Sequence, residues 1–266
     1  MTVADGDLHH EVAGEGPPVV LIHEGIADSR MWQPQWRTFP REHRTVRLDL
    51  RGFGESPLEP GPYSHARDVV GLLEHLALGP AALVGVSLGG SVALQVALAR
   101  PDLVSALVLV GSGLGGWDWS EETQAGWAEE GAALERGDLD AAVNVNLRMW
   151  VAGPDRAVDE VDPQVVESVS EMQRRAFELW LKVGEAAQEE QLVEDVAGRL
   201  GKIVPTLVLV GEEDRPEIRA IAERLASEIP GAEHTTIADT AHVPSMERPK
   251  EFDELVLGFL SEAQSR

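Results

Sequence analysis

The chain has no cysteine among its 266 residues. Disulfides, thiolate metal sites and a cysteine nucleophile are therefore excluded, although compartment is not decided, since a secreted protein can also lack disulfides. Basic residues are scarce, 22 Lys and Arg against 46 Asp and Glu, for a formal net charge of −24. Such a surface repels nucleic acid and anionic membranes and slows highly charged anionic substrates. It favours a neutral or cationic small molecule over coenzyme A esters or acidic carrier proteins. No apolar run approaches the roughly 18 residues of a membrane span, and no basic stretch followed by an apolar one opens the chain. A cytoplasmic enzyme is expected. Metal-ligand spacing is missing too, because His9, His10 and Glu11 would alternate between the faces of a strand. Internal repeats and low-complexity tracts are absent.

What is present is a rhythm. Val19–Ile22, Thr45–Leu50, Ala81–Val86, Ala106–Val110 and Thr206–Val210 are continuous apolar, β-branched runs, the pattern of parallel strands buried on both faces by helices. Glu233–Ile237 reads as a weaker strand and Leu8–Val12 as an antiparallel edge. The expected fold class is α/β, a mostly parallel central sheet flanked by helices with reactive groups at the carboxyl ends of its strands. The rhythm stops between Val110 and Thr206, too long a gap for a structureless loop. Val143, Leu147, Trp150 and Val151 share one helical face, as do Met172, Ala176, Leu179, Trp180 and Val183. Residues 1–116 and 201–266 then form the core domain, and 117–200 an inserted helical cap over the sheet's carboxyl edge.

Gly85-Val86-Ser87-Leu88-Gly89 falls where the Ala81–Val86 strand turns into a small-residue helix, Leu88–Arg100. A G-x-S-x-G run in that setting is a nucleophile elbow, which lifts a serine hydroxyl clear of the backbone. Serine attacks only when a base takes its proton, and the base needs a third group to hold its tautomer. His242 follows the last strand and precedes a helix that Pro249 would start. Asp214 follows Val208–Gly211 and is the chosen acid, with Glu212 and Glu213 beside it as alternatives. Chain order is then Ser, Asp, His. His9, His10, His43, His65, His75 and His234 have no matching context and are expected at the surface. The backbone N–H of Leu88 opens a helix and is free to face an oxyanion. A second donor is expected from the His23-Glu24-Gly25-Ile26 loop.

Together these features resemble the α/β-hydrolase superfamily, and within it the short esterases and cofactor-free haloperoxidase-like members with a helical cap. The resemblance covers nearly the whole chain outside the cap. It rests on the His23 loop with Trp32 following, Asp49-Leu50-Arg51-Gly52-Phe53-Gly54-Glu55-Ser56, the elbow, Gly211–Asp214, and His242 with Glu247-Arg248-Pro249. It implies Gly25 as the second oxyanion donor, a structural turn at Asp49–Ser56, and no metal or organic cofactor. It also implies against haloalkane dehalogenases and epoxide hydrolases, which carry aspartate where this chain has Ser87.

One position departs from the family pattern. The glycine that usually follows the loop histidine is Glu24 here. Its carboxylate would oppose an oxyanion at close range, so it is expected to turn away or to pair with Arg51 or another cation. A sharper reading has Glu24 binding a cationic or hydroxylated part of the substrate, or positioning water. Glu24, Ile26 and Trp150 are candidate substrate contacts. The remaining tryptophans, Trp117, Trp119, Trp127 and Trp180, are expected chiefly to pack the cap on the core, some also lining an apolar pocket. The expected activity is hydrolysis of a small, largely apolar carboxylic ester or lactone through an acyl-enzyme on Ser87. Carbon–carbon bond hydrolases, thioesterases and perhydrolases would use the same residues, and a non-catalytic ligand-binding member of the fold is the remote alternative.

Overall fold

The computed structural model describes residues 8–265. Among them the apolar runs form a seven-stranded sheet, β1 His10–Ala13, β2 Pro18–Ile22, β3 Arg44–Leu48, β5 Ala81–Val86, β6 Val104–Val110, β8 Thr206–Gly211 and β9 Glu233–Ile237. Spatial order is β1-β3-β2-β5-β6-β8-β9, with only β1 antiparallel to its neighbour. Every residue of β5 and β8 is buried, as strands covered on both faces must be. The observed β3 stops at Leu48, before Leu50, because Asp49 begins a turn. There the Asp49 carboxylate accepts the Ser29 and Glu55 amides at 2.7 and 2.9 Å, and the Ser56 hydroxyl donates to its carbonyl at 2.7 Å.

Helices α1 His65–His75, α2 Leu88–Ala99, α6 Pro216–Glu228, the short α7 Pro244–Glu247 and α8 Pro249–Gln264 complete the core, and α3 Glu121–Glu135, α4 Leu139–Asn146 and α5 Pro163–Val183 fill the gap between β6 and β8. Helix α8 begins at Pro249, whose missing N–H costs nothing at a helix start. The gap is not purely helical. A three-residue strand β7, Ala187–Glu189, pairs in parallel with β4, Gly61–Tyr63. The apolar face from Val143 to Val151 also differs from a regular helix: α4 ends at Asn146 and the chain continues as a wider π-helical turn, Leu147–Ala152. In α5 the buried stripe is Val165, Val169, Met172, Gln173, Ala176 and Phe177, whereas Trp180 is 43 % exposed. Met172 and Ala176 belong to both stripes, with Met172 Sδ against the Asp28 amide of the β2 loop, and Trp180, although exposed, borders the cavity described next together with Gln173, Ala176 and Phe177.

Candidate active site

Ser87 sits between β5 and α2 with φ 50° and ψ −109°, a region that costs a side-chain-bearing residue about 1–3 kcal/mol. The turn holds because its neighbours have no Cβ: one on Gly85 would lie 2.3 Å from the Gly89 carbonyl, and one on Gly89 2.3 Å from that of Ile22. Backbone bonds secure the serine itself. Its N–H donates to Val110 at 2.9 Å, and its carbonyl accepts from Ser91 and Gly113 at 3.0 and 3.1 Å.

The loops after β8 and β9 bring an acid and an imidazole together. Glu212 and Glu213 donate backbone N–H groups to Ile237 and Thr240 at 3.0 and 2.8 Å. Asp214 then lies buried with Oδ2 2.8 Å from His242 Nδ1, and its Oδ1 accepts the Arg215 amide at 2.8 Å. Of the three adjacent acids, Glu212 is exposed and Glu213 half-buried. Gly111, which sequence reading passed over, makes this pairing fit. Its φ is +48°, and a Cβ there would stand 3.1 Å from His242 Nδ1 and 3.2 Å from Asp214 Oδ2.

The His242 loop is also held from the helical segment. The His242 amide donates to the Trp150 carbonyl at 3.2 Å, and the Trp150 ring lies 4.9 Å from the imidazole. Glu247 accepts the Ala241 amide at 2.9 Å and pairs with Arg156 at 2.8 Å. Burial works against the imidazolium, but the Asp214 charge and hydrogen bond, with the Glu24 charge, outweigh it. His242 therefore titrates above an ordinary histidine.

Glu24, expected to turn away or to pair with Arg51 or another cation, has no hydrogen bond to Arg51 and stands against His242 instead. Arg51 is held by Asp68 through bonds of 2.9 and 3.0 Å. Glu24 is fully buried, with Oε2 4.0 Å from His242 Nε2, and neither of its oxygens has a hydrogen-bond partner among the described residues. Burial, partly offset by His242 and reinforced by Asp214, raises this carboxyl to about 8. Its backbone is anchored by His23. The Leu50 amide donates to His23 Nε2 at 2.8 Å, so Nδ1 carries the proton and donates to the Glu24 carbonyl at 2.7 Å. A carbonyl and an amide thus select the neutral tautomer, and burial lowers the His23 titration further.

Ser87, His242, Glu24, Gly25, Ile26, Leu88 and Trp150 all line one cavity of about 720 Å³. Gly25 and Leu88 face each other there, since a Cβ on Gly25 would stand 4.0 Å from the Leu88 side chain. Two histidines expected at the surface are buried, His43 and His65. His65 follows the α1 cap Ser64, and this first helical position points it between Tyr63 and Phe53, with ring centroids 5.1 and 6.3 Å away. Burial, with His23 and Arg51 nearby, lowers its titration to about 3. No local pattern announces that placement, because the cavity wall joins segments distant in sequence. Among the described residues no group of three His, Asp or Glu could hold a metal ion, and no helix is long and apolar enough to cross a membrane.

Known proteins place this geometry in a family. The pattern of the alpha/beta hydrolase family matches residues 19–255. A 2-hydroxy-6-oxononadienedioate/2-hydroxy-6-oxononatrienedioate hydrolase of Cupriavidus pinatubonensis is 30% identical, over 98% of this chain and 94% of its own. A 3-oxoadipate enol-lactonase of Acinetobacter baylyi is 26% identical over 96% and 94%. The solved structure of a thermophilic esterase from Thermogutta terrifontis superposes with TM-score 0.78 at 27% identity, covering 96% of this chain and 93% of that one. The chain belongs to the alpha/beta hydrolase family and is a hydrolase of that fold.

Proposed function

We propose that this hydrolase cleaves a small carboxylic ester or lactone through an acyl-enzyme on Ser87, with 117–200 as a cap over the site. The observation that carries the reading is the buried 2.8 Å contact between His242 and Asp214 beside a serine on a strained elbow in the same cavity. His242 Nε2 takes the Ser87 proton as Oγ attacks the carbonyl, and Asp214 stabilises the imidazolium and fixes its tautomer. The amides of Leu88 and Gly25 hold the tetrahedral oxyanion. His242 then returns the proton to the leaving alkoxide. Water, deprotonated by His242, releases the acid and regenerates Ser87. Phe53, Leu114, Trp119, Trp127 and Phe177 give the cavity an apolar wall, which suits a largely apolar substrate that reaches the enzyme in the cytoplasm.

By their names the relatives are an enol-lactonase, an esterase and a hydrolase of a 2-hydroxy-6-oxo dienedioate, and the same residues would serve ester, lactone and carbon–carbon bond hydrolysis. A panel of p-nitrophenyl esters, lactones and vinylogous 1,5-diketones, assayed beside Ser87→Ala, separates them. Ester or lactone turnover that vanishes in Ser87→Ala, with fluorophosphonate labelling mapped to Ser87, supports the reading. Ester turnover that survives Ser87→Ala refutes it. A folded protein that neither labels nor turns over any substrate is a binding member of the fold.

A further inference from the structure

Three side chains on the cavity wall hold polar atoms with no hydrogen-bond partner among the described residues: both oxygens of Glu24, Nδ1 of His65 and Oε1 of Gln173. They are 0 %, 3 % and 4 % exposed. Each comes from a different part of the chain, the loop after β2, the first turn of α1 and the middle of α5, yet all three line the cavity that holds Ser87 and His242. An orphaned buried polar group costs about 1–3 kcal/mol, so folded proteins carry few. The other such side chains among the described residues are Trp32, Gln35 and Ser245, and none of them lies on this wall. Orphans gathered from core and cap onto one cavity, beside the reacting groups, mark partners that a ligand supplies.

We propose that Glu24, His65 and Gln173 form a recognition set, and that the substrate is an uncharged ester or lactone bearing an amide or hydroxyl group beside its apolar part. This rests on the hydrolase reading above and names the substrate class within it. Burial keeps Glu24 protonated over most of the neutral range and His65 neutral, so the wall offers paired donors and acceptors rather than charges. An amide N–H and C=O, or a hydroxyl, complements such a set. A substrate carboxylate would face Glu24 with the Asp214 charge behind it, while the Arg51 guanidinium on the same wall is already engaged by Asp68.

The test compares p-nitrophenyl 3-acetamidopropanoate with the hexanoate, and 4-acetamidobutanoate with the heptanoate, each rate divided by its uncatalysed hydrolysis. The better amide is expected to exceed its alkyl match in kcat/KM by about tenfold, the worth of one well-formed hydrogen bond. Gln173→Leu and His65→Phe are expected to shrink that ratio, and to raise the unfolding temperature because each removes an orphan. A wild-type ratio at or below one overturns the proposal. So do variants that unfold earlier and slow both esters alike, the signature of a structural role. Failure of the hydrolase reading has its own mark, alkyl-ester turnover that persists in Ser87→Ala. The methyl ketones of the same four acyl chains, titrated into folded Ser87→Ala protein by tryptophan fluorescence, repeat the comparison without turnover. Equal affinity within each pair overturns the recognition set there too.

Discussion

The two sides of the His242 ring carry the same functional group in opposite circumstances. On the Nδ1 side, Asp214 lies at 2.8 Å and also accepts the Arg215 amide, so the buried charge has donors. On the Nε2 side, Glu24 lies at 4.0 Å with no hydrogen bond to either oxygen. Burial makes a carboxylate stable only where hydrogen bonds replace lost water. Asp214 is therefore equipped to act as an anion, whereas Glu24 is held as an acid across most of the neutral range. Charge at this site is set by the donors around each carboxyl rather than by residue type.

The comparison can be broken in four places. Ser87→Ala removes the proposed nucleophile, and ester kcat/KM is expected to fall by about 10⁴-fold or more, measured in steady-state assays. Asp214→Asn keeps the shape on the Nδ1 side but donates where an acceptor is needed, and a loss of about 10³–10⁴-fold is expected with the circular dichroism spectrum retained. A loss below tenfold there would remove Asp214 from the mechanism.

Glu24→Gln breaks the other side and is read by pH. Folding raises the Glu24 titration from 4.5 to about 8, so the native state keeps a proton that the unfolded chain has already released. Raising pH through that window therefore removes stability, on the order of 5 kcal/mol in all. Urea unfolding at pH 5 and pH 8.5 should show the variant gaining on the wild type as pH rises; a pH-independent difference would contradict the burial argument. Asp214 helps raise His242 above 6.5, so the acid limb of kcat/KM is expected above that value; because Glu24 is uncharged there, the limb should stay in place in Glu24→Gln. The smallest effect is expected from Gly111→Ala. A positive φ and a Cβ 3.1 Å from His242 Nδ1 should cost about 1–2 kcal/mol, with kcat lowered through a displaced imidazole.

How much of this was readable beforehand varies by element. The strands, the elbow and the Pro249 helix start were legible because each is dictated within a few residues, by apolar continuity, a glycine-flanked serine or a proline. The pairing of β4 with β7 was not, since three-residue segments far apart in the chain carry no periodicity. The π-helical turn at Leu147–Ala152 hid inside an ordinary apolar spacing. His65 was expected at the surface because it stands in no motif context; a capped helix and the packing of Phe53 and Tyr63 bury it.

The amino-acid order by itself determined the architecture, the candidate nucleophile and base, and the short list of acids, because these follow from local sterics and from which runs must leave water. Only the tertiary structure decided that Asp214 rather than its acidic neighbours meets His242. It alone set Glu24 against the Nε2 side without a donor, and put His65 and Gln173 on the same wall. Those outcomes depend on burial and partners supplied across the chain, and electrostatic character inside a protein is a property of that assembled surrounding.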